Sequence, residues 1–225
     1  MRSTRLLTML SVCLISMAAD TGETDVLAKM DAAAPSFRGL TADISAISYT
    51  KVIDDKTEES GTISLLKTKP KELQVLIQFT KPDARSVAFR GRKAEIYYPK
   101  IKTVQEYDLG RSGLIEQFLL LGFGTSGKEL ASAYQVKLVG AEKIGNQEAW
   151  HLELFPKSAD LKKSLSKLEL WISEDGAYAV QQKVTQPSGD YRVFTYRNVK
   201  LNPKLSPNDL ALKLPSGVKR EFPQK

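Results

Sequence analysis

From Leu40 onward the apolar residues fall on every second position: Ile44 and Ala46, then Ile63 and Leu65, then Leu73, Val75, Ile77 and Phe79. A period of two is that of a strand with one buried face, because successive side chains of an extended chain point to opposite sides. Similar runs cover 85–90, 93–98, 102–108, 134–143, 148–155, 167–173, 177–186 and 190–199. Turn residues separate them, among them Arg90-Gly91, Gly145-Asn146, Glu174-Asp175-Gly176 and Ser188-Gly189-Asp190. About ten or eleven strands in succession, with few helices between them, predict a mainly β (α+β) fold built on one large antiparallel sheet or barrel.

Two stretches break the alternation. Val26, Leu27, Met30, Ala33 and Ala34 recur at helical spacing between Thr24, a candidate N-cap, and Pro35, so 24–34 is predicted as an N-terminal helix with one apolar face. Within 111–133, the segment from Gly113 to Gly124 is apolar nearly all round, and Ser126 to Ala133 reads as a short helix capped by Ser126. A segment this oily has to be covered, because large contiguous apolar surface is rarely left open on a soluble chain. The cover available in a sheet protein is the concave side, where the segment acts either as a plug completing the core or as a lid over a cavity.

The extreme N-terminus follows another logic. Arg2 and Arg5 precede an apolar run from Leu6 to Ile15, and the small residues Ser16, Ala18 and Ala19 follow, which is the layout of a cleavable secretory signal peptide over 1–19. The run is short for a hydrocarbon core of about 30 Å, so it is not read as an anchor. Residues 20–225 are then expected to form a single exported domain in a periplasm-like compartment. Loss of Arg2 and Arg5 takes the formal net charge from +7 to +5, since 1–19 hold no acidic residue.

Composition narrows the chemistry. Hydrophobic residues at 42% and charged residues at 26% exclude a disordered chain. One cysteine, Cys13, excludes an internal disulfide or a cysteine-ligated zinc, and one histidine, His151, leaves few acid-base groups. No phosphate-binding glycine loop or nucleophile-elbow motif is present in the sequence. A binding protein rather than an enzyme is therefore expected. His151 shares a strand face with Ala149, Glu153 and Phe155, opposite Trp150, Leu152 and Leu154, and reads as a solvated outer residue. Asp54/Asp55 and Glu58/Glu59 read as a solvated polar loop. Residues 67–102 carry ten Lys/Arg against three Asp/Glu, whereas 21–60 carry eight acidic residues against four basic ones. Behind an export signal the basic stretch suits anionic headgroups or an acidic membrane partner rather than nucleic acid.

An ordered set of short motifs carries a resemblance. Gly61-Thr62-Ile63-Ser64-Leu65, Lys69-Pro70, Leu73-Gln74-Val75 and Gly91-Arg92-Lys93-Ala94-Glu95-Ile96-Tyr97-Tyr98-Pro99 resemble the front half of LolA-type outer-membrane lipoprotein carriers. The back half is similar through Leu170-Trp171-Ile172, Asp175-Gly176, Val180-Gln181-Gln182, Pro187-Ser188-Gly189, Phe194, Asn198-Val199, Asn202 and Leu214-Pro215-Ser216-Gly217-Val218. The resemblance implies an unclosed antiparallel β-barrel with an N-terminal helix and a helical lid, enclosing an apolar cavity for the acyl chains of a lipoprotein or related lipid. It implies a monomer shuttling between an inner-membrane donor complex and an outer-membrane acceptor, with no catalytic residue and no cofactor. In such carriers an arginine before the proline tethers the lid; Lys69 stands there in this chain, and a lysine cannot reproduce the planar fork of arginine. A sensor or binding module of the same fold, serving an envelope-stress regulator, is the alternative.

The energetics of a shuttle agree with this reading. Burying about sixteen carbons at roughly 0.8 kcal/mol per methylene is worth on the order of 13 kcal/mol, more than a carrier that must release its cargo can keep. An apolar lid that fills the empty cavity lowers the net affinity to a difference. Leu114, Ile115, Phe118 and Leu119 are the expected lid; Leu73, Val75, Ile77, Phe89, Ile96, Tyr98, Leu152, Leu154 and Trp171 are the expected wall.

Overall fold

Strands β1 (Gly39–Thr50) and β2 (Asp55–Lys69) form a long hairpin, in register from Thr50 opposite Asp55 to Gly39 opposite Leu66. On its inner face the alternating residues Leu40, Ala42, Ile44, Ile63 and Leu65 are buried. The remaining strands are β3 (Glu72–Lys81), β4 (Arg85–Arg90), β5 (Lys93–Tyr98), β6 (Thr103–Asp108), β7 (Tyr134–Ile144), β8 (Gln147–Pro156), β9 (Lys167–Ser173), β10 (Ala179–Thr185), β11 (Tyr191–Leu201) and β12 (Lys219–Glu221). The computed structural model describes residues 18–69, 72–108 and 121–224. The expected signal peptide over 1–19 falls almost wholly outside these residues, as do Pro70 and the lid residues Leu114, Ile115, Phe118 and Leu119.

All twelve strands join one sheet in the order β12-β6-β5-β4-β3-β2-β1-β11-β10-β9-β8-β7. Neighbours are antiparallel except β12 and β6, which run parallel, and the edge strands β12 and β7 do not pair with each other, so the barrel is unclosed. The chain enters at the centre, meanders outward through β6 and resumes at the opposite edge with β7. The connection between them is residues 109–133. Its described part, from Leu121, lies on the concave side, where Phe123 and Leu130 are buried in the same core as Ile44, Leu152 and Leu170.

Helix α1 (Ala18–Ala33) begins earlier than the predicted 24–34. Gly22, which lowers helix propensity, masks the early turns from sequence reading, but it lies where a β-carbon would come within 3.0 Å of Leu138 Cδ2. The helix buries Val26 and Met30 in the concave core, and Glu23 Oε2 accepts a hydrogen bond from the Leu138 amide at 3.3 Å. Helix α2 (Gly127–Ala133) has the predicted cap: Ser126 Oγ accepts from the Glu129 amide at 3.2 Å, and Glu129 Oε2 accepts from the Ser126 amide at 3.0 Å, a complete capping box. A single helical turn, α3 (Ala159–Lys162), starts at Ser158, whose hydroxyl accepts from the Leu161 amide.

Part of the convex face is covered. Leu76 and Ala88 are buried there beneath Leu210, Leu205 and Leu212 of the C-terminal segment, which then supplies β12. That strand was not expected. Its three residues carry no alternation, and its place rests on the β6 ladder and on Arg220, which pairs with Glu95 at 3.1 Å and with Glu106.

On the other half of the convex face Glu153 accepts from Lys167 Nζ at 2.7 Å and Lys137 Nζ at 3.0 Å. These two lysines, Lys167 foremost, hold its carboxyl down at about 2. An unfolded chain takes up this proton near 4.5. The stabilisation from Glu153 is therefore complete above pH 4.5 and lost as pH falls from 4.5 towards 2. Chemical denaturation across that window is expected to show a shallower loss of stability for Glu153→Gln than for the wild type; parallel acid limbs would refute the assignment.

Candidate ligand-binding cavity

The two halves of the concave face differ in what fills them. Over β7–β10 the inner residues Leu152, Leu154, Leu168, Leu170 and Ile172 are fully buried under α1, Phe123 and Leu130. Over β3–β6 and the outer ends of β1 and β11 there is a cavity of about 450 Å3. Ile77, Val87, Phe89, Ala94, Ile96 and Phe194 give it an apolar wall. The volume lies in the range of small-molecule sites, roughly 300–1,000 Å3.

Strand parity explains this wall. Val75 faces Phe89 and Ile77 faces Val87 across β3 and β4, Val87 faces Ile96 across β4 and β5, and Phe89 faces Ala94. The middle of one face of three neighbouring strands thus carries only hydrocarbon.

The two ends of the cavity are polar. At the turn end Glu59 and Arg85 meet in a two-pronged pair, with Nε to Oε1 at 3.1 Å and Nη2 to Oε2 at 2.6 Å, and the Arg85 guanidinium lies 4.4 Å from the centre of the Phe79 ring. Ser48 and Arg192 lie opposite each other on β1 and β11 at the same end. At the other end Tyr107 donates to Gln105 Oε1 at 2.9 Å, and Gln224 Oε1 accepts from the Asp108 amide at 2.8 Å. The turns beyond the first end expose Val52, Ile53 and Ile101 beside Lys51, Lys100 and Lys102.

Of the residues expected to form the wall, Ile77, Phe89 and Ile96 line this cavity. Val75, Leu152 and Leu154 belong to the packed core, and Leu73 packs at its margin. Tyr98 continues the face of Ala94 and Ile96 towards the turn and is half-buried. Trp171 points the other way. Leu168, Leu170 and Ile172 claim the concave side of β9, which leaves Glu169, Trp171 and Ser173 on the convex side. The alternation of β9 already contained this answer, since Trp171 shares parity with Lys167 and Glu169.

His151 is on the outer face as expected, but it is not solvated. Its ring stacks on Trp171 at 4.2 Å, directly across the β8–β9 ladder, and its side chain is only 12% exposed. Nδ1 lies 3.2 Å from Glu142 Oε2, which also accepts from Trp171 Nε1 at 2.7 Å. This cluster ties β7 to β9 on the side away from the cavity.

Sequence reasoning missed Glu59 and Arg192. Glu59 looked like loop, yet β2 begins at Asp55 and turns Glu59 inward, opposite Ala46. Lys69 ends β2 with an exposed side chain, 3.5 Å from Glu72 Oε2. The lid that Lys69 is expected to tether lies outside the described residues; Gln182 anchors the described start of the β6–β7 connection at Leu121. Gln182 is fully buried, donates to the Leu121 carbonyl and accepts from the Tyr196 hydroxyl at 2.8 Å. Among the described residues no cluster of three or more His, Cys, Asp or Glu could hold a metal ion.

No protein-family model and no curated protein matches the chain. Solved structures do. MucB is similar at a TM-score of 0.54 and 13% identity, over 86% of this chain and 63% of MucB, so the chain spans less than two thirds of that protein. An uncharacterised conserved protein from Thermus thermophilus is similar at a TM-score of 0.54 and 11% identity, over 89% of this chain and 99% of that one. The chain shares their fold. A LolA superfamily protein from Nitrosomonas europaea matches at a TM-score of 0.41 and 12% identity, over 84% and 97% of the two chains.

Proposed function

We propose that the protein is a non-enzymatic, exported carrier that holds the acyl chains of a lipoprotein or related lipid in the concave cavity and shuttles them towards the outer membrane. The observation that carries this reading is the 450 Å3 apolar cavity over β3–β5, set in a fold whose other concave half is packed solid. An apolar wall with its polar groups confined to the two ends suits binding by exclusion of water. The exposed Val52, Ile53 and Ile101 with their neighbouring lysines form a rim suited to contact with a donor or acceptor at the membrane surface. Native mass spectrometry of the protein purified from its own cell envelope tests the reading: a co-purifying lipid or acylated protein is expected. Retention of a folded protein partner with no lipid would instead favour the second reading, a partner-binding module, which the fold shared with MucB supports.

A further inference from the structure

The cavity holds three charged side chains among its described lining residues, and only one of them lacks a partner. Glu59 and Arg85 satisfy each other through two hydrogen bonds, so their charges cancel within the wall. Arg192 has no carboxylate within ion-pair distance among the described residues. Asp190, two positions earlier, is turned towards the β1–β2 hairpin, where it accepts from the Lys51 amide at 2.8 Å. The polar groups at the opposite end are satisfied internally, as Tyr107 bonds Gln105 and Gln224 bonds the Asp108 backbone. Along β11 the residue that follows Arg192 on the same face is Phe194, part of the apolar wall.

We infer that the cavity takes an acyl chain with an anionic headgroup, a carboxylate or a phosphate monoester, and that Arg192 binds the headgroup at the turn end while the chain runs past Phe194 towards Phe89. This rests on the carrier reading and deepens it. A guanidinium presents a planar fork of donors that matches either anion, and charge-assisted hydrogen bonds of this kind are roughly twice as strong as neutral ones. A neutral ester headgroup at the same place leaves the arginine to solvent and gains nothing from it. The geometry also sets polarity: the headgroup enters last, next to Val52 and Ile53, and leaves first.

The test compares palmitate, palmitoyl lysophosphatidic acid and methyl palmitate in displacement of a fluorescent acyl probe from the wild type and from Arg192→Gln and Arg192→Lys. The two anions are expected to bind about tenfold or more tightly than the methyl ester. Arg192→Gln should abolish that preference without changing affinity for the methyl ester, while Arg192→Lys retains part of it. Whichever anion gains more from Arg192 identifies the headgroup as carboxylate or phosphate. Salt should erode the anionic preference and spare the ester, because the rim is solvent-accessible. Equal affinity for all three ligands, unchanged by Arg192→Gln, overturns the headgroup assignment and leaves the carrier reading standing. Failure of every ligand to displace the probe overturns the carrier reading itself. Arg192 is exposed, so circular dichroism of both variants is expected to match the wild type.

Discussion

Tyr196→Ala is expected to destabilise the protein by about 4–5 kcal/mol, at the upper end for loss of a buried aromatic side chain. Tyr196 is fully buried at the centre of the sheet and meets the edge of Phe123 with ring centres 4.9 Å apart. Its hydroxyl donates to Gln182, whose amide in turn holds the Leu121 carbonyl of the β6–β7 connection. Truncation leaves a void, strips Phe123 of its partner and orphans a buried acceptor on Gln182, so three losses coincide. Tyr196→Phe isolates the last of them and should cost about 1–3 kcal/mol, the penalty for an unsatisfied buried polar atom. Urea denaturation of the two variants separates ring from hydroxyl; a Tyr196→Phe midpoint equal to that of the wild type would falsify the role given to the Gln182 bridge. Burial also raises the phenol well above its ordinary 10.0. The unfolded chain ionises near pH 10 while the folded one keeps its proton, so stability is expected to fall as pH rises beyond 10, and less so in Tyr196→Phe.

Ile96→Glu is expected to abolish acyl binding, with at least about a hundredfold loss of probe affinity, while the fold persists. Ile96 is half-buried in the wall, flanked by Val87 and Gln105 on the neighbouring strands. A carboxylate there either stays charged against hydrocarbon or takes up a proton, and in both cases it draws water into the space the chain must occupy. The same change at Leu73 is expected to behave differently. Leu73 packs against the margin of the core and does not line the cavity, so Leu73→Glu should lower stability and leave the affinity of the folded fraction close to normal. Denaturation midpoints measured beside probe titrations distinguish the two; a folded Ile96→Glu protein with unchanged affinity would remove the cavity from any part in binding.

Alternation alone carried a long way in this chain. The sequence-predicted strands 85–90, 93–98 and 167–173 coincide with β4, β5 and β9, because each presents one apolar face to a single continuous core and is bounded by glycine or charged turns. The Ser126 cap was legible for a similar reason, since a capping box is satisfied within four residues and needs no distant partner. Parity also assigned the inward residues Ile77, Phe89 and Ile96. What it could not assign was the use of the inward space. Leu152 and Leu154 have the same pattern as Ile77 and Ile96, yet α1 and Phe123 cover the first pair and leave the second pair beside a cavity. That difference comes from where the described end of the β6–β7 connection packs and where α1 docks, the latter through contacts between residues more than a hundred positions apart, such as Glu23 with Leu138. The charged rim was equally out of reach. Glu59 and Arg85 stand 26 positions apart, and Arg192 reaches the same end only because β11 returns to pair with β1. Local periodicity determines which way a side chain points, since it follows from backbone geometry alone. Which inward surfaces are filled, and which charges are left without a partner, is decided by the order of the strands in the sheet and by what packs across its concave face.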